Sequence, residues 1–295
     1  MSRSDGLSRP EQIVAVVGLG NMGRGIAGTL VRAGIRTLGV DPAASVDVVP
    51  GAELVDLETA VHRAGTLVLS LPGSSVVERV LADAGLTVPG RPRRLVVDTS
   101  TADPLVTRRL AAVLADAGHA LVDAPVSGGP SGAAAGQLTV FLGGEHTAVE
   151  QAHPVLRVLA GKVTHVGGPG AGAVAKLVNN MLCAVHLQIT GEALGLVEAA
   201  GLDPEKVFAA VNGASGRSAV TEVNLPRWIL SGTFDSGFPM GLMARDISLA
   251  VDTGRDLGAE LPLAAHSAGT WQERSAGDPG ADFNLMARPT TGERI

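Results

Sequence analysis

The sequence predicts an α/β fold: a Rossmann-like, doubly wound sheet followed by an all-α C-terminal domain, with a long helix joining the two. Three observations carry this. In the first half, short branched apolar runs alternate with helical patterns, as strands and crossover helices do. A glycine-rich turn follows the first of those runs. In the second half, after "GGPGAG" (167–172), no strand pattern recurs and the chain reads as helix.

The elements come in this order. "IVAVV" (13–17) predicts the first strand, a helix spans 22–33, and "RTLGV" (36–40) is the second strand. "TLVLSLP" (66–72), "RLVVDTS" (94–100) and "ALVDAP" (120–125) are further strands, each closed by a turn. "VVERVLADAG" and "PLVTRRLAAVLADAG" fill the intervals as helices, and "LTVFLGG" (138–144) and "KVTHVG" (162–167) are late strands. Continuous apolar strands indicate a parallel sheet covered on both faces. A long helix is predicted over 171–200, and "GLDPEK", "NGASGRS" and "GFPMG" punctuate the helical remainder of the chain. "GDPGADFNLMARPTTGERI" reads as a short helix and a loose tail. The predicted domains are 1–168 and 169–295.

With 295 residues, 45% hydrophobic and 18% charged, the chain can bury one large core or two smaller ones. The net charge is -6, aromatics are 2%, and no long basic run occurs, which argues against nucleic-acid binding. The single cysteine, Cys183, excludes a disulfide framework and a Cys-rich zinc site, and core packing is its expected role. No metal site is expected. The apolar runs break before membrane-spanning length, and the start, "MSRSDGLSRPEQ", has no signal-like apolar region. The expected compartment is the cytoplasm. With no tyrosine, a Tyr–Lys proton relay is excluded, so proton chemistry falls to Lys, His, Asp, Glu or bound water.

"VVGLGNMGRGIAG" contains Gly18-Leu19-Gly20-Asn21-Met22-Gly23 between a strand and a helix, the context of a dinucleotide fingerprint. Gly18 permits the tight turn, Gly20 lets backbone approach a pyrophosphate, and Gly23 lets the helix pack on the strand. Asp41 ends the second strand, where an acid holds the ribose hydroxyls of adenosine. The bland alternative is a glycine turn beside a capping Asp. "VDPAAS" puts no arginine directly after Asp41, which favours NAD over NADP unless Arg36 folds back.

The chain has three lysines, Lys162, Lys176 and Lys206, against twenty arginines. An ammonium can lose its proton when desolvated and a guanidinium cannot. Lys176 lies in the apolar helix one turn before Asn180, so both point the same way. It is either a proton-transfer group or a surface lysine with a buried stem. Ser127-Gly128-Gly129, after "ALVDAP", offers a hydroxyl and adjacent backbone N–H groups to an anion, or is simply a turn.

Four segments together resemble the β-hydroxyacid dehydrogenases, the family of 3-hydroxyisobutyrate dehydrogenase. They are "VGLGNMG", "DAPVSGG" followed by "GQL", "GAGAVAKLVNN" and "GFPMGLMARDISLA". The resemblance implies hydride transfer between NAD and a small 3-hydroxy acid, or reduction of the matching semialdehyde. It implies Lys176 as acid/base with Asn180 orienting substrate. Ser127, Gly128 and Gly129 would hold the substrate carboxylate, with Thr101 near the nicotinamide and Leu71 and Pro72 lining the cofactor cleft. The family reads Lys-Asp where this chain has Arg245-Asp246; Arg245 would touch cofactor or substrate, and Asp246 could equally be a helix salt-bridge partner. His266 and Arg288 could also reach the site. The partner is then a small carboxylate-bearing hydroxy acid or semialdehyde, and the Ala- and Leu-rich second half suggests a homodimer or homotetramer. The alternatives are an imine reductase, which usually carries Asp or Tyr in place of Lys176, and a non-catalytic dinucleotide-binding module that has lost the lysine.

Overall fold

The computed structural model describes residues 12–45 and 47–288. The chain divides into two compact units, Met1–Lys176 and Leu177–Ile295. The first is built on a nine-stranded sheet. β1 (Ile13–Val17), α1 (Asn21–Arg32), β2 (Arg36–Val40), β3 (Glu53–Leu54), α2 (Leu57–Arg63), β4 (Thr66–Leu69), α3 (Ser74–Asp83), β5 (Leu95–Asp98), α4 (Pro104–Asp116) and β6 (Ala120–Asp123) come first. In space they run β3-β2-β1-β4-β5-β6, all parallel. The chain winds outward from β1 to β3 and returns on the other side of β1 with β4. That reversal leaves a crevice at the C-terminal ends of β1 and β4.

The strands bury both faces, which is why they read as unbroken apolar runs. Val14, Val16, Val68, Val97 and Val122 belong to one apolar cluster. Ala15, Val17, Leu67, Leu69, Val96 and Leu121 belong to the other. Alternate residues thus feed opposite faces, each covered by helices. α2 and α4 start where a side chain satisfies free N–H groups of the first turn. Asp56 accepts from Thr59 N–H ahead of α2, and Asp103 from Leu105 N–H ahead of α4, which has Pro104 in its first turn.

The late strands depart from the parallel expectation. β7 (Val126–Ser127), α5 (Gly129–Ala135), β8 (Leu138–Gly144), α6 (His146–Leu159) and β9 (Ala160–Gly167) complete the first unit. β8 is antiparallel to β6 and β7, while β9 is parallel to β8. Between β6 and β8 the chain has only two residues of strand and seven of helix. That is too little to cross back over the sheet, so the chain returns antiparallel.

α7 (Ala171–Ala199) contains the division between the units. The second unit continues with α8 (Pro204–Asn212), a π-wound segment Val220–Leu230, α9 (Met240–Asp256), α10 (Pro262–Ser275) and a 3-10 turn Phe283–Ala287. Its core includes Leu187, Phe208, Met243, Ile247 and Trp271. Trp271 is fully buried and donates its indole N–H to Ala184 O at 3.3 Å. Phe238 and Phe283 meet edge to face at 5.1 Å between centroids. About a turn and a half of α7 goes with the sheet unit, past the expected boundary at 168. The polar start before Gln12 and the expected loose tail after Arg288 lie outside the described residues. No described helix is long and apolar enough to cross a membrane.

Candidate active site

At the end of β1, Gly18 has φ +91° and donates its N–H to Val40 O at 2.8 Å. A side-chain carbon at Gly18 would stand 2.3 Å from Ser70 O, and one at Gly23 would stand 1.8 Å from Gly18 O. Either would push apart the turn, β4 and α1. Gly20 differs, because nothing lies within 4 Å of the same position there. It precedes α1, and no side chain caps that helix end. The first-turn N–H groups therefore face open space, as a pyrophosphate site needs. Leu19 is buried, Asn21 exposed and Met22 packed against the core.

Asp41 follows β2 beside this turn. Its Oδ2 accepts from Leu19 N–H at 2.8 Å and its Oδ1 from Ala43 N–H at 2.9 Å. Arg36 begins β2, at the other end of the strand from Asp41. Five extended residues span about 16 Å, beyond the reach of one side chain, so Arg36 does not fold back to Asp41. Arg24 was not expected from sequence; its Nε donates to Leu19 O at 2.7 Å and braces the turn. Its place directly after Gly23 was the available signal.

The loops after β4 and β5 are laced together. Leu71 N–H donates to Ser100 Oγ at 3.0 Å, Asp103 N–H to Ser74 Oγ at 2.7 Å, and the Thr99 hydroxyl to Leu69 O at 2.6 Å. Leu71 and Thr101 are half-buried and Pro72 is exposed. Ser100 is oriented in turn by Asp98, which accepts its N–H at 3.0 Å. Burial pushes the Asp98 carboxyl up to about 6 against the pull of Ser100, and the carboxylate of Asp123 adds to the rise. Asp98 and Asp123 are register partners on β5 and β6.

β6 ends at Asp123, and the serine loop comes directly after it. Ser127 pairs with Thr139 of β8. Gly128 and Gly129 hold φ of +126° and +63°, a region that favours glycine. A side-chain carbon at Gly129 would meet nothing within 4 Å, so the loop is open there. Asp123, the first residue of "DAPVSGG" and given no role by the sequence, reaches the lysine helix. Its Oδ1 accepts from Gly170 N–H and its Oδ2 from Ala173 N–H, both at 2.9 Å. Burial pushes this carboxyl up while those N–H groups pull it back. Lys176 is the next turn of α7 and is 7% exposed, whereas Lys162 and Lys206 are exposed. The surface alternative for Lys176 does not hold.

In the second unit, Asn180 is buried and donates from Nδ2 to Asp246 Oδ2 at 2.7 Å. Its Oδ1 accepts from Asn179 Nδ2 at 3.0 Å. Asp246, also buried, accepts at Oδ1 from Arg245 Nε at 3.0 Å. Arg245 is thus turned onto its own neighbour, and Asp246 joins it to Asn180. His266 and Arg288 instead line a groove of about 470 Å³ with Gln188, Glu192 and Arg274. Asn180 does not line that groove. Arg288 also lies over the Phe234 ring at 4.2 Å. Cys183 packs against the helical core. Among the described residues no group of three or more His, Cys, Asp or Glu is placed to hold a metal ion.

The chain matches two family models, "NAD binding domain of 6-phosphogluconate dehydrogenase" over residues 13–167 and "NAD-binding of NADP-dependent 3-hydroxyisobutyrate dehydrogenase" over residues 170–290. It is 35% identical to a probable 3-hydroxyisobutyrate dehydrogenase of Mycobacterium tuberculosis, across 92% of this chain and 96% of that protein. It is also 35% identical to the 2-(hydroxymethyl)glutarate dehydrogenase of Eubacterium barkeri, across 85% of each. A solved structure of Mycobacterium tuberculosis 3-hydroxyisobutyrate dehydrogenase with L-serine aligns with TM-score 0.87 at 34% identity, covering 94% of this chain and 98% of that one. An imine reductase of Streptomyces aurantiacus shares the fold, with TM-score 0.63 at 23% identity over 93% of this chain and 98% of that one.

Proposed function

The chain belongs to the β-hydroxyacid dehydrogenase family, and on that footing we propose that it is an NAD-dependent dehydrogenase of a small 3-hydroxy acid, with Lys176 as its acid/base. The observation that carries this reading is the burial of Lys176 alone among three lysines. A charged head at that depth is costly unless it is paired and hydrogen-bonded, so its placement there is specific. Residues 1–168 would serve the cofactor, and residues 169–295 the substrate and assembly.

The residues present fit a dinucleotide. The open approach at Gly20 and the uncapped start of α1 suit a pyrophosphate, and Asp41 suits ribose hydroxyls. Leu71, Pro72 and Thr101 stand on the laced loops beside the crevice, where the nicotinamide would lie. When bound, that ring supplies the hydride acceptor in oxidation and the donor in reduction. Ser127 and the backbone of Gly128 and Gly129 hold the substrate carboxylate. Neutral Lys176 takes the hydroxyl proton as the carbonyl forms, and its ammonium returns the proton in reduction. Asn180, its amide fixed by Asp246 and Asn179, orients the reacting oxygen. Arg245, held by Asp246, is the residue proposed to contact cofactor or substrate.

No arginine directly follows Asp41 in the chain, and Arg36 stands at the far end of β2, which supports NAD over NADP. The ratio of kcat/KM for the two coenzymes checks this. Leu182, Ile189 and Leu196 on α7 are 48%, 54% and 73% exposed, which supports a homodimer or homotetramer. Likeness to an imine reductase at the level of fold carries no activity, and the lysine speaks against that chemistry.

The test is Lys176→Arg. The guanidinium keeps the charge but cannot act as a base. Turnover should fall at least ~100-fold with NAD affinity unchanged; near-normal turnover would end the proposal. A panel of 3-hydroxypropionate, 3-hydroxyisobutyrate, glycerate, threonate and L-serine, each beside its methyl ester, identifies the acid. Equal rates on the esters would remove the carboxylate site.

A further inference from the structure

We propose that Asp123 is a positioning residue that fastens the turn preceding Lys176 to the end of β6, and so sets the lysine relative to the serine loop. The proposal rests on the acid/base reading of Lys176 given above.

α7 begins in "GGPGAG", with no Ser, Thr, Asp or Asn to cap it. α2, α4 and α8 carry their own caps in Asp56, Asp103 and Asp203. The lysine helix instead takes its cap from a carboxylate 47 residues upstream in the chain. The two oxygens are divided, Oδ1 to Gly170 N–H and Oδ2 to Ala173 N–H. Two acceptors on one rigid plane fix both the height of the helix end and its rotation. A helix N-terminus is also where a negative charge is most favourable.

The surroundings leave little freedom. A side-chain carbon at Gly143 would stand 2.6 Å from both Asp123 oxygens. One at Gly172 would stand 2.3 Å from Phe141 O and 2.9 Å from Asp123 Oδ2. Gly143 also adjoins an irregularity in the β8–β9 register. Two glycines thus let helix, strand and carboxylate meet at contact distance.

The geometry links the two halves of the proposed chemistry. Lys176 lies three residues beyond Ala173, just under one helical turn. Ser127 lies four residues beyond Asp123 on the same strand-to-loop segment. One side chain therefore references both the proton acceptor and the carboxylate loop to the end of β6. Acid/base catalysis is sensitive to such placement, since a misplacement of about 1 Å can cost on the order of 100-fold in rate.

The test is Asp123→Asn in the full chain. Asparagine keeps the shape but offers one acceptor, and sets an N–H₂ against the other backbone N–H. We expect kcat on the best 3-hydroxy acid of the panel to fall on the order of 100-fold. NAD affinity by fluorescence titration should stay within about twofold of wild type, because the glycine turn belongs to β1. Folded fraction and Tm are measured on the same sample. A variant that is merely less stable, with normal kcat per folded molecule, would overturn the proposal. Should Asp123→Asn fail to fold, Gly172→Ala keeps the carboxylate but presses its added carbon on Phe141 O and Asp123 Oδ2 and so displaces the helix; it should give the same fall in kcat with intact coenzyme binding, and normal kcat there overturns the proposal as well. Lys176→Arg separates the two ideas: if that variant turns over normally, the lysine reading fails, whatever Asp123 does. If it is dead while Asp123→Asn and Gly172→Ala turn over normally, only the positioning role fails.

Discussion

Glycines crowd two loops at the C-terminal ends of the parallel strands, in quite different surroundings. At Gly18 and Gly23 an added side-chain carbon would stand 2.3 and 1.8 Å from backbone oxygens. At Gly129 it would meet nothing within 4 Å, and at Gly128 nothing nearer than a Leu138 methyl at 3.4 Å, ordinary contact. At these two positions the first loop uses glycine so that protein can touch protein, and only Gly20 between them is open. The second uses it for backbone conformation and leaves its outer side open. A close-packed loop suits a cofactor common to many enzymes, and an open one suits a substrate that differs among them.

The contrast is broken most severely at Gly23. Gly23→Ala forces α1 off the turn, and overpacking of this kind costs about 1–3 kcal/mol. Expressed in coenzyme affinity, that is a loss of up to ~100-fold, read by titration with NADH. Wild-type affinity would show that the turn is not close-packed in solution.

Between the two loops, on β5, lies Asp98. Its folded carboxyl, at about 6, is above the ordinary 3.8 because of burial. The folded protein therefore holds this proton more tightly than the unfolded chain does. The contribution of Asp98 to stability is greatest below pH ~4, declines as pH rises towards ~6, and stays low above that. A change of about two in pKa corresponds to roughly 3 kcal/mol at most. Asp98→Asn mimics the protonated acid and should be more stable than wild type at pH 7.5 by up to that amount, with the gap closing at pH 4. Denaturant midpoints across that range decide it; a gap constant with pH would mean the carboxyl does not titrate there.

Ser127 sharpens the contrast from the open side. If Ser127 holds the substrate carboxylate as proposed, Ser127→Ala removes one hydrogen bond, about 1.5 kcal/mol for a charged partner, so KM should rise ~10-fold. Because the loop is not close-packed, Tm should barely move. A fall in Tm without a change in KM would make Ser127 a structural residue.

Much of the fold was legible because the determining residues are neighbours in sequence. The strand alternation, the turn at Gly18–Gly23 and the long helix all arise from local pattern. The antiparallel return of β8 was not legible, since a strand buried on both faces reads alike in either direction. The shortness of the α5 connection decides it. The π-wound segment gave no periodic signal distinct from a helix. At the candidate site, Lys176 stood out by its rarity and Asp41 by its place after a strand. Asp123 did not, because its partners Gly170 and Ala173 are glycine and alanine, and nothing in "GGPGAG" announces a missing cap. The pairing of Arg245 with Asp246 is likewise a matter of rotamer, which sequence does not encode.

Trp271, sealed in the helical core, has a spectroscopic consequence. The chain has two tryptophans, Trp228 and Trp271, and no tyrosine. Both tryptophans belong to the second compact unit. Intrinsic emission is therefore blind to the sheet and reports the helical unit alone. Emission from a bound reduced nicotinamide would report the sheet. Recorded together during denaturation, the two colours tell whether the units melt in one transition or in sequence, with no label attached.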